Sequence, residues 1–310
     1  MPTDVITGAF GYSGTAIARE LQAAGRQVRT LTGHPRAGAG DIDTRPLDFS
    51  DPAALAKNLS GAHTLYCTYW VRFAHGSATR ESAVTNSKVL FDAAAHAGVE
   101  RIVYVSILHA DPASRYPYFS GKGEVERHLA ATGVPYAIAR PSILFGSSAD
   151  LGVAASVLLN NIAWLLRHLP VFGIGDGGGY RIRPIHVDDL AQLLVRLGGR
   201  TDTVTVDAVG PDAPTFGETV RAIRAATGSR SLLVPVPGAL IPPLAAVLGA
   251  ALRDVLLTAE EYRAMRDGLA TSDAPASGPT SLMDWIAAHG AELGRTYANE
   301  LDRHYRPAAR

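Results

Sequence analysis

The sequence predicts an α/β fold, a doubly wound parallel sheet with a smaller C-terminal lobe. Three observations carry this. Through the first half, short β-branched runs alternate with helix-length segments, the pattern of a parallel sheet covered on both faces. A glycine-rich turn, Thr7-Gly8-Ala9-Phe10-Gly11-Tyr12-Ser13-Gly14, stands between the first run and its helix. From Gly146 onward loops lengthen, prolines become frequent and the alternation stops.

The elements follow in order. Val5 and Ile6 are β-branched and apolar, which places a first strand at 5–7; Ile17, Leu21 and Ala24 then fall at helical spacing in a helix over 14–24. Further strands are predicted at 28–32, 44–47, 64–68, 101–106 and 136–140, with helices over 52–58, 77–97 and 119–132. Helices over 188–197 and 215–227 flank a late strand at 204–208. Residues 274–280, Ala-Pro-Ala-Ser-Gly-Pro-Thr, read as a linker, and Leu282, Trp285 and Ile286 begin a terminal helix. The expected division is a first domain over 1–146 and a mixed region over 147–310, holding the lobe and returns to the main sheet.

Composition bounds the function. A chain of 310 residues with 47% hydrophobic content suits one large α/β domain, or a main domain with a lobe. Zero formal net charge gives no attraction to nucleic acid or an anionic membrane, so neither is expected as a partner; the sequence does not set the oligomeric state. Cys67 is the only cysteine; it falls in a predicted buried strand and suits a reducing compartment. The first strand begins at about residue 4, which leaves no room for a leader, so a cytoplasmic location is expected. The most apolar stretch, 239–252, is too short to span a bilayer, contains Pro242 and Pro243, and ends at Arg253 and Asp254; it reads as a lid or lobe helix. No His/Cys cluster has metal-ligand spacing, so no metal is expected.

Gly8, Gly11 and Gly14 set the chemistry of the first turn. Glycine there turns the chain tightly, lets backbone approach a pyrophosphate, and lets the helix pack closely on the sheet. The helix N-terminus adds N–H donors and a positive dipole end. With Phe10, Tyr12 and Ser13 completing the cradle, the first domain reads as dinucleotide-binding and Rossmann-like. Its spacing, G-x-x-G-x-x-G, differs from the common G-x-G-x-x-G, and the strand–turn–helix context is what validates it.

The end of the second strand bears on which dinucleotide. Folds that bind NAD usually place an acidic residue there, on the ribose hydroxyls. Here the position is Thr32, whose hydroxyl, with the Gly33 N–H and His34, suits a 2′-phosphate. That favours NADP. Gly33 stands where many NADP-binding proteins carry an arginine, so NAD is kept as the alternative.

Tyr118 and Lys122 lie four apart at the start of a predicted helix and so share a face. A phenol with an ordinary pKa of about 10 is a poor acid–base group at neutral pH, and a nearby ammonium lowers it. Tyr118 then exchanges a proton with a substrate oxygen, and Lys122 serves both tyrosine and the nicotinamide ribose.

Four ordered segments carry a family resemblance. Residues 101–106, Arg-Ile-Val-Tyr-Val-Ser, and 140–146, Arg-Pro-Ser-Ile-Leu-Phe-Gly, resemble the fifth and sixth strands of the extended short-chain dehydrogenases/reductases. Residues 184–191, Pro-Ile-His-Val-Asp-Asp-Leu-Ala, and 280–285, Thr-Ser-Leu-Met-Asp-Trp, are similar to elements that follow them. Within that branch the chain most resembles the atypical NmrA-like and complex I 39-kDa-subunit-like reductases, often labelled NAD-dependent epimerase/dehydratase. The resemblance implies an adenine contact at Asp48 with the Phe49 N–H, and a cofactor-lining role for Thr68, Pro141 and Ile143. It also implies a structural role for His186.

One departure stands out. The extended enzymes carry a catalytic hydroxyl two residues after the first serine of the fifth strand, and here that position is Leu108. Ser106 is the remaining hydroxyl, either polarising a carbonyl or lining the cofactor. On the substrate side, Tyr69 and Trp70 emerge at the carboxyl edge of the sheet, where ligands of doubly wound folds bind, or else they pack on the next helix. Asn161, Trp164 and His168 share a helical face, and Tyr180 precedes the His186 segment. The leading expectation is an NAD(P)H-dependent oxidoreductase acting on a carbonyl, enol or activated double bond of a small apolar molecule. The alternatives are a non-catalytic NmrA-like dinucleotide sensor and a cofactor-holding structural subunit.

Overall fold

The computed structural model describes residues 2–33, 42–146 and 156–305. Numbered in chain order, the main sheet contains β1 (Thr3–Thr7), β2 (Gln27–Thr32), β3 (Asp43–Pro46), β4 (Ala62–Cys67), β5 (Arg101–Val105), β6 (Tyr136–Pro141) and β10 (Val204–Ala208). These seven strands are all parallel, in the order β10-β6-β5-β4-β1-β2-β3. The order reverses between β1 and β4, where Ile6 pairs with Tyr66. That reversal is the switch point outside which doubly wound folds bind ligands.

Helices α1 (Tyr12–Ala23) and α6 (Val187–Gly198) pack together, and α2 (Pro52–Leu59), α3 (Arg80–His96) and α4 (Pro117–Ala131) form a second layer. Between that layer and the sheet, Val5, Leu31, Leu65, Cys67, Leu90, Phe91, Ile102 and Tyr104 make one buried core. Strands covered on both faces need nearly continuous apolar runs, and the sequence supplies them.

Helix ends depart from the predicted ones where capping decides. α3 begins at Arg80 because Thr79 and Ser82 form a reciprocal capping box. α2 begins at Pro52 as predicted, with Asp51 accepting from the Ala54 N–H at 2.9 Å. α1 begins at Tyr12, earlier than the periodicity suggests, and no side chain caps it.

By its internal contacts the chain divides into two compact units, Met1–Pro141 with Val187–Ala208, and Ser142–His186 with Val209–Arg310. The second unit holds two parallel strand pairs, β7 (Leu144–Phe145) with β9 (Ile185–His186) and β8 (Val171–Gly175) with β11 (Leu232–Val236). Its helices are α5 (Val157–His168), α7 (Phe216–Ala226), α8 (Ile241–Leu252), α9 (Ala259–Arg266), α10 (Leu282–His289) and α11 (Glu300–Tyr305). Phe145, Leu159, Ile162, Ile174, Val220, Ile223, Trp285 and Ile286 form its core.

The predicted linker is tied down within this unit. Arg183 donates to the Ser272, Ala274 and Gly210 carbonyls, and the Ser277 N–H reaches the Val209 carbonyl at 2.7 Å. The apolar run at 239–252 becomes α8, which leaves Leu244 55% and Val247 72% exposed. Among the described residues no helix is long and apolar enough to cross a membrane.

Candidate functional site

The glycine turn is built from the sheet outward. The Gly8 N–H donates to the Leu31 carbonyl at 2.9 Å, and the Ala9 N–H donates to Thr30 Oγ1 at 3.0 Å, so β2 holds the turn in place. Gly8 has φ +70°, a left-handed conformation that glycine adopts without a Cβ penalty. The Gly11 N–H closes the turn on the Gly8 carbonyl at 2.9 Å. Gly14 packs so tightly that a Cβ there would lie 2.1 Å from the Gly8 carbonyl oxygen. Gly11 is exposed, and Phe10, Tyr12 and Ser13 stand half-buried around it. No side-chain hydrogen bond caps the start of α1, and such a helix N-terminus fits the anionic bridge of a dinucleotide.

The adenosine side follows from β2 and β3. Thr32 ends β2, and its carbonyl accepts from the Leu47 N–H at 3.1 Å; Gly33 follows, exposed. His34 lies outside the described residues. Arg29 is committed elsewhere, pairing with Asp43 at 2.8 Å and donating to the Asn58 and Ser60 carbonyls. Asp48 forms a tight turn, Oδ1 accepting from the Ser50 hydroxyl at 2.6 Å and the Ser50 N–H at 2.9 Å. Those two bonds hold its carboxyl below the usual range. Phe49 packs on Tyr69, with ring centroids 4.7 Å apart.

At the end of β4 the backbone is clamped to β1. Thr7 Oγ1 accepts from the Thr68 and Tyr69 N–H groups at 2.8 and 3.1 Å, and Thr68 Oγ1 donates to the Thr7 carbonyl at 2.6 Å. The Tyr69 hydroxyl accepts from Asn86 Nδ2 of α3 at 3.0 Å. The Tyr69 hydroxyl is thus tied to the next helix.

Tyr118 and Lys122 both lie on α4, and the structure brings Trp70 to them. The Tyr118 and Trp70 rings meet edge to face at 5.6 Å. Lys122 is only 3% exposed; its Nζ donates to the Val105 carbonyl at 2.9 Å and lies 4.3 Å from the Trp70 ring centroid and 4.7 Å from that of Tyr104. Burial pushes the Lys122 ammonium down to about 7, against smaller opposing effects of Cys67 and Glu126. Glu126 is itself paired with Arg140 of β6 through a two-point contact. Ser106 Oγ, Tyr104 Oη and Trp70 Nε1 are buried with no hydrogen-bond partner among the described residues. Leu108 is fully buried, and its N–H donates to the Pro141 carbonyl at 2.9 Å. The sequence reading missed Tyr104 as a neighbour of Lys122. Its one trace there was an aromatic in an otherwise aliphatic strand.

In the second unit the predicted residues have structural partners. The Asn161 amide donates to the Ala298 carbonyl at 2.8 Å and accepts from the Ala298 N–H at 3.0 Å, so both ends anchor the C-terminal segment. Trp164 stacks on His168 at 4.3 Å and meets Tyr297 at 5.2 Å. Tyr180 stacks on Phe216 at 5.3 Å, and burial raises its phenol pKa. The Ile143 carbonyl accepts from the Ile185 N–H at 3.0 Å, joining β7 to β9. His186 packs on Phe145 at 5.2 Å, over Gly146.

With this geometry in hand, comparison with known proteins is informative. Residues 8–155 match the family described as NAD(P)H-binding. The match begins at Gly8, the first glycine of the turn, and covers Tyr118 and Lys122. Among curated proteins, the mitochondrial NADH-ubiquinone oxidoreductase 40 kDa subunit of Neurospora crassa is 26% identical over 180 residues, 57% of this chain and 45% of that protein. The chain therefore aligns with under half of that relative's length.

Two solved structures share the fold of this chain. The Escherichia coli NADPH-dependent quinone oxidoreductase complexed with NADPH superposes with TM-score 0.73 at 21% identity, covering 92% of this chain and 98% of that one. The Citrobacter sp. triphenylmethane reductase complexed with NADP(H) gives 0.70 at 18%, covering 94% and 99%. At 18% and 21% identity, these two likenesses show a shared Rossmann-like fold.

The low pKa of Lys122 has a consequence for stability. Its pKa falls from an ordinary 10.5 to about 7, so between those values the unfolded chain binds a proton that the folded chain does not. The contribution of this group is fully present above 10.5 and is lost as pH falls through about 7. Thermal unfolding of wild type and Lys122→Met, compared from pH 7 to 9, should show the wild type gaining on the variant as pH rises. A difference independent of pH contradicts the buried, readily deprotonated lysine.

Proposed function

We propose that this protein is an NAD(P)H-dependent oxidoreductase of the short-chain type, acting on a carbonyl, enol or activated double bond of a small, apolar molecule. The observation that carries this is the arrangement of Tyr118 and Lys122 on α4, beside Trp70, in a chain whose first half is NAD(P)H-binding. The glycine cradle at Gly8, Gly11 and Gly14 holds the pyrophosphate, with Phe10, Tyr12 and Ser13 at its rim. Thr32 and Gly33 face the adenosine ribose, and Asp48 with Phe49 the adenine. Thr68 and Pro141 complete the cofactor lining of the first unit. The bound nicotinamide supplies the hydride. Tyr118 Oη delivers or takes the proton at the substrate oxygen, and Lys122 as an ammonium favours the phenolate that results. Ser106 lines this end of β5. Trp70, with Tyr69 behind it, gives the substrate a flat apolar wall.

The quinone and triphenylmethane specificities of the two reductases define the first substrates to try. NADPH oxidation in the presence of small quinones, enals and aromatic ketones tests the reading. Absence of turnover across these classes, with tight NADPH binding retained, overturns it.

NADP is the favoured cofactor, because no carboxylate stands at Thr32 to repel a 2′-phosphate. Fluorescence titration should find NADPH binding more tightly than NADH. Thr32→Asp should reverse that order; equal constants in the wild type reject the assignment.

A second reading rests on Leu108. The hydroxyl that the extended enzymes carry there is replaced by a fully buried leucine. This favours a dinucleotide sensor or a cofactor-holding subunit, in keeping with the similarity to a complex I subunit. Such a protein binds NAD(P)H and turns nothing over.

A further inference from the structure

A buried ammonium is ordinarily held by a carboxylate, because removing a charge from water is costly unless it is paired. Lys122 is held differently. Glu126, one turn further along α4, is engaged with Arg140. The groups facing Lys122 are Cys67 from β4, Tyr104 from β5, and Tyr118 and Glu126 from its own helix. Burial pushes the Cys67 thiol up to about 11 and the Tyr104 phenol well above its ordinary value, so neither is an anion near neutral pH. What touches the ammonium is the Val105 carbonyl and two ring faces, Trp70 and Tyr104. A cation over an aromatic face is attracted by the ring quadrupole, most strongly for tryptophan and when water is excluded.

Trp70 is fixed in place for this. A Cβ on Gly121 would touch Val84 at 3.1 Å and the far edge of the indole at 3.4 Å, so the ring is wedged between α3 and α4. Its Nε1 is buried with no acceptor among the described residues, a cost that a phenylalanine of similar shape would not carry. An indole retained at that cost is explained by its face, and the face lies on Lys122.

We propose that Trp70 is a positioning residue: its ring stands in for a counter-ion to Lys122 and, through its contact with Tyr118, holds phenol and ammonium in one arrangement. This rests on the reading of Tyr118 and Lys122 given above.

The chain has three lysines, Lys57, Lys88 and Lys122, so ε-13C-lysine labelling follows each titration by NMR in the cofactor-free protein. In the wild type Lys122 should titrate near 7. Trp70→Leu keeps the site apolar and removes the ring face. Its Lys122 pKa should fall by about one unit, lowering the ammonium-to-amine ratio at fixed pH about tenfold. Trp70→Phe restores a weaker face and should fall between the two. An unchanged or raised pKa in folded Trp70→Leu overturns the proposal; a rise is what a ring that merely excludes water would give. Should Trp70→Leu fail to fold by circular dichroism, Trp70→Phe decides: a downward shift supports the proposal and no shift overturns it. Failure of NADPH to bind the wild type defeats the functional reading and leaves this titration as it stands.

Discussion

Gly14→Ala is expected to abolish NAD(P)H binding and to destabilise the first unit. The added Cβ would lie 2.1 Å from the Gly8 carbonyl oxygen and 2.8 Å from its carbon, both backbone atoms. They cannot yield without displacing the turn that forms the cradle. Overpacking of a close contact costs about 1–3 kcal/mol, and a clash with backbone belongs at the upper end. Gly11→Val separates the two effects. Gly11 has an ordinary φ of −84°, and a Cβ there comes no closer than 3.3 Å to the Gly8 carbonyl oxygen. That variant should keep its fold and lose the dinucleotide, because the side chain occupies the exposed approach to the start of α1. Thermal unfolding measures the first effect and a tryptophan-quench titration the second. Wild-type affinity in a folded Gly11→Val protein removes the pyrophosphate from this turn.

Tyr118→Phe is expected to lower turnover by roughly 10²–10⁴-fold, the usual worth of a positioned acid–base group, with little change in cofactor affinity. The ring survives the substitution, and with it the edge contact on Trp70. Lys122→Ala should differ, weakening dinucleotide binding as well as turnover, since the lysine serves both ribose and tyrosine. Steady-state kinetics on an active substrate, with separate binding constants, distinguish the patterns. Full turnover in Tyr118→Phe assigns the proton to another group. A sensor or structural subunit gives a third pattern: affinity lost in Lys122→Ala and no phenotype in Tyr118→Phe.

Much of the fold was legible because its signals are local. The apolar strand runs and the helical spacing of Ile17 and Leu21 depend on neighbours within a few residues, and so does the strand–turn–helix context of Gly8, Gly11 and Gly14. Some helix ends were less legible, since capping by Thr79 competes with periodicity over one turn. The substrate side was least legible. The spacing of Tyr69 and Asn161 left their partners open, and each engages its polar atoms with protein groups, Asn86 and Ala298. Helical spacing cannot show that, because those partners belong to other segments.

The sequence by itself determined the parallel sheet, the phosphate-type turn, the missing acidic residue at Thr32, the missing hydroxyl at Leu108, and the shared face of Tyr118 and Lys122. Each of these is a matter of which residue stands where along one element. Only the tertiary structure decided the state of Lys122. Its pKa is lowered by exclusion from water, and the groups around it, the Val105 carbonyl and the faces of Trp70 and Tyr104, are brought together by three different segments. Desolvation and ring quadrupoles act through space over a few ångströms, so they take their values only once the chain has folded.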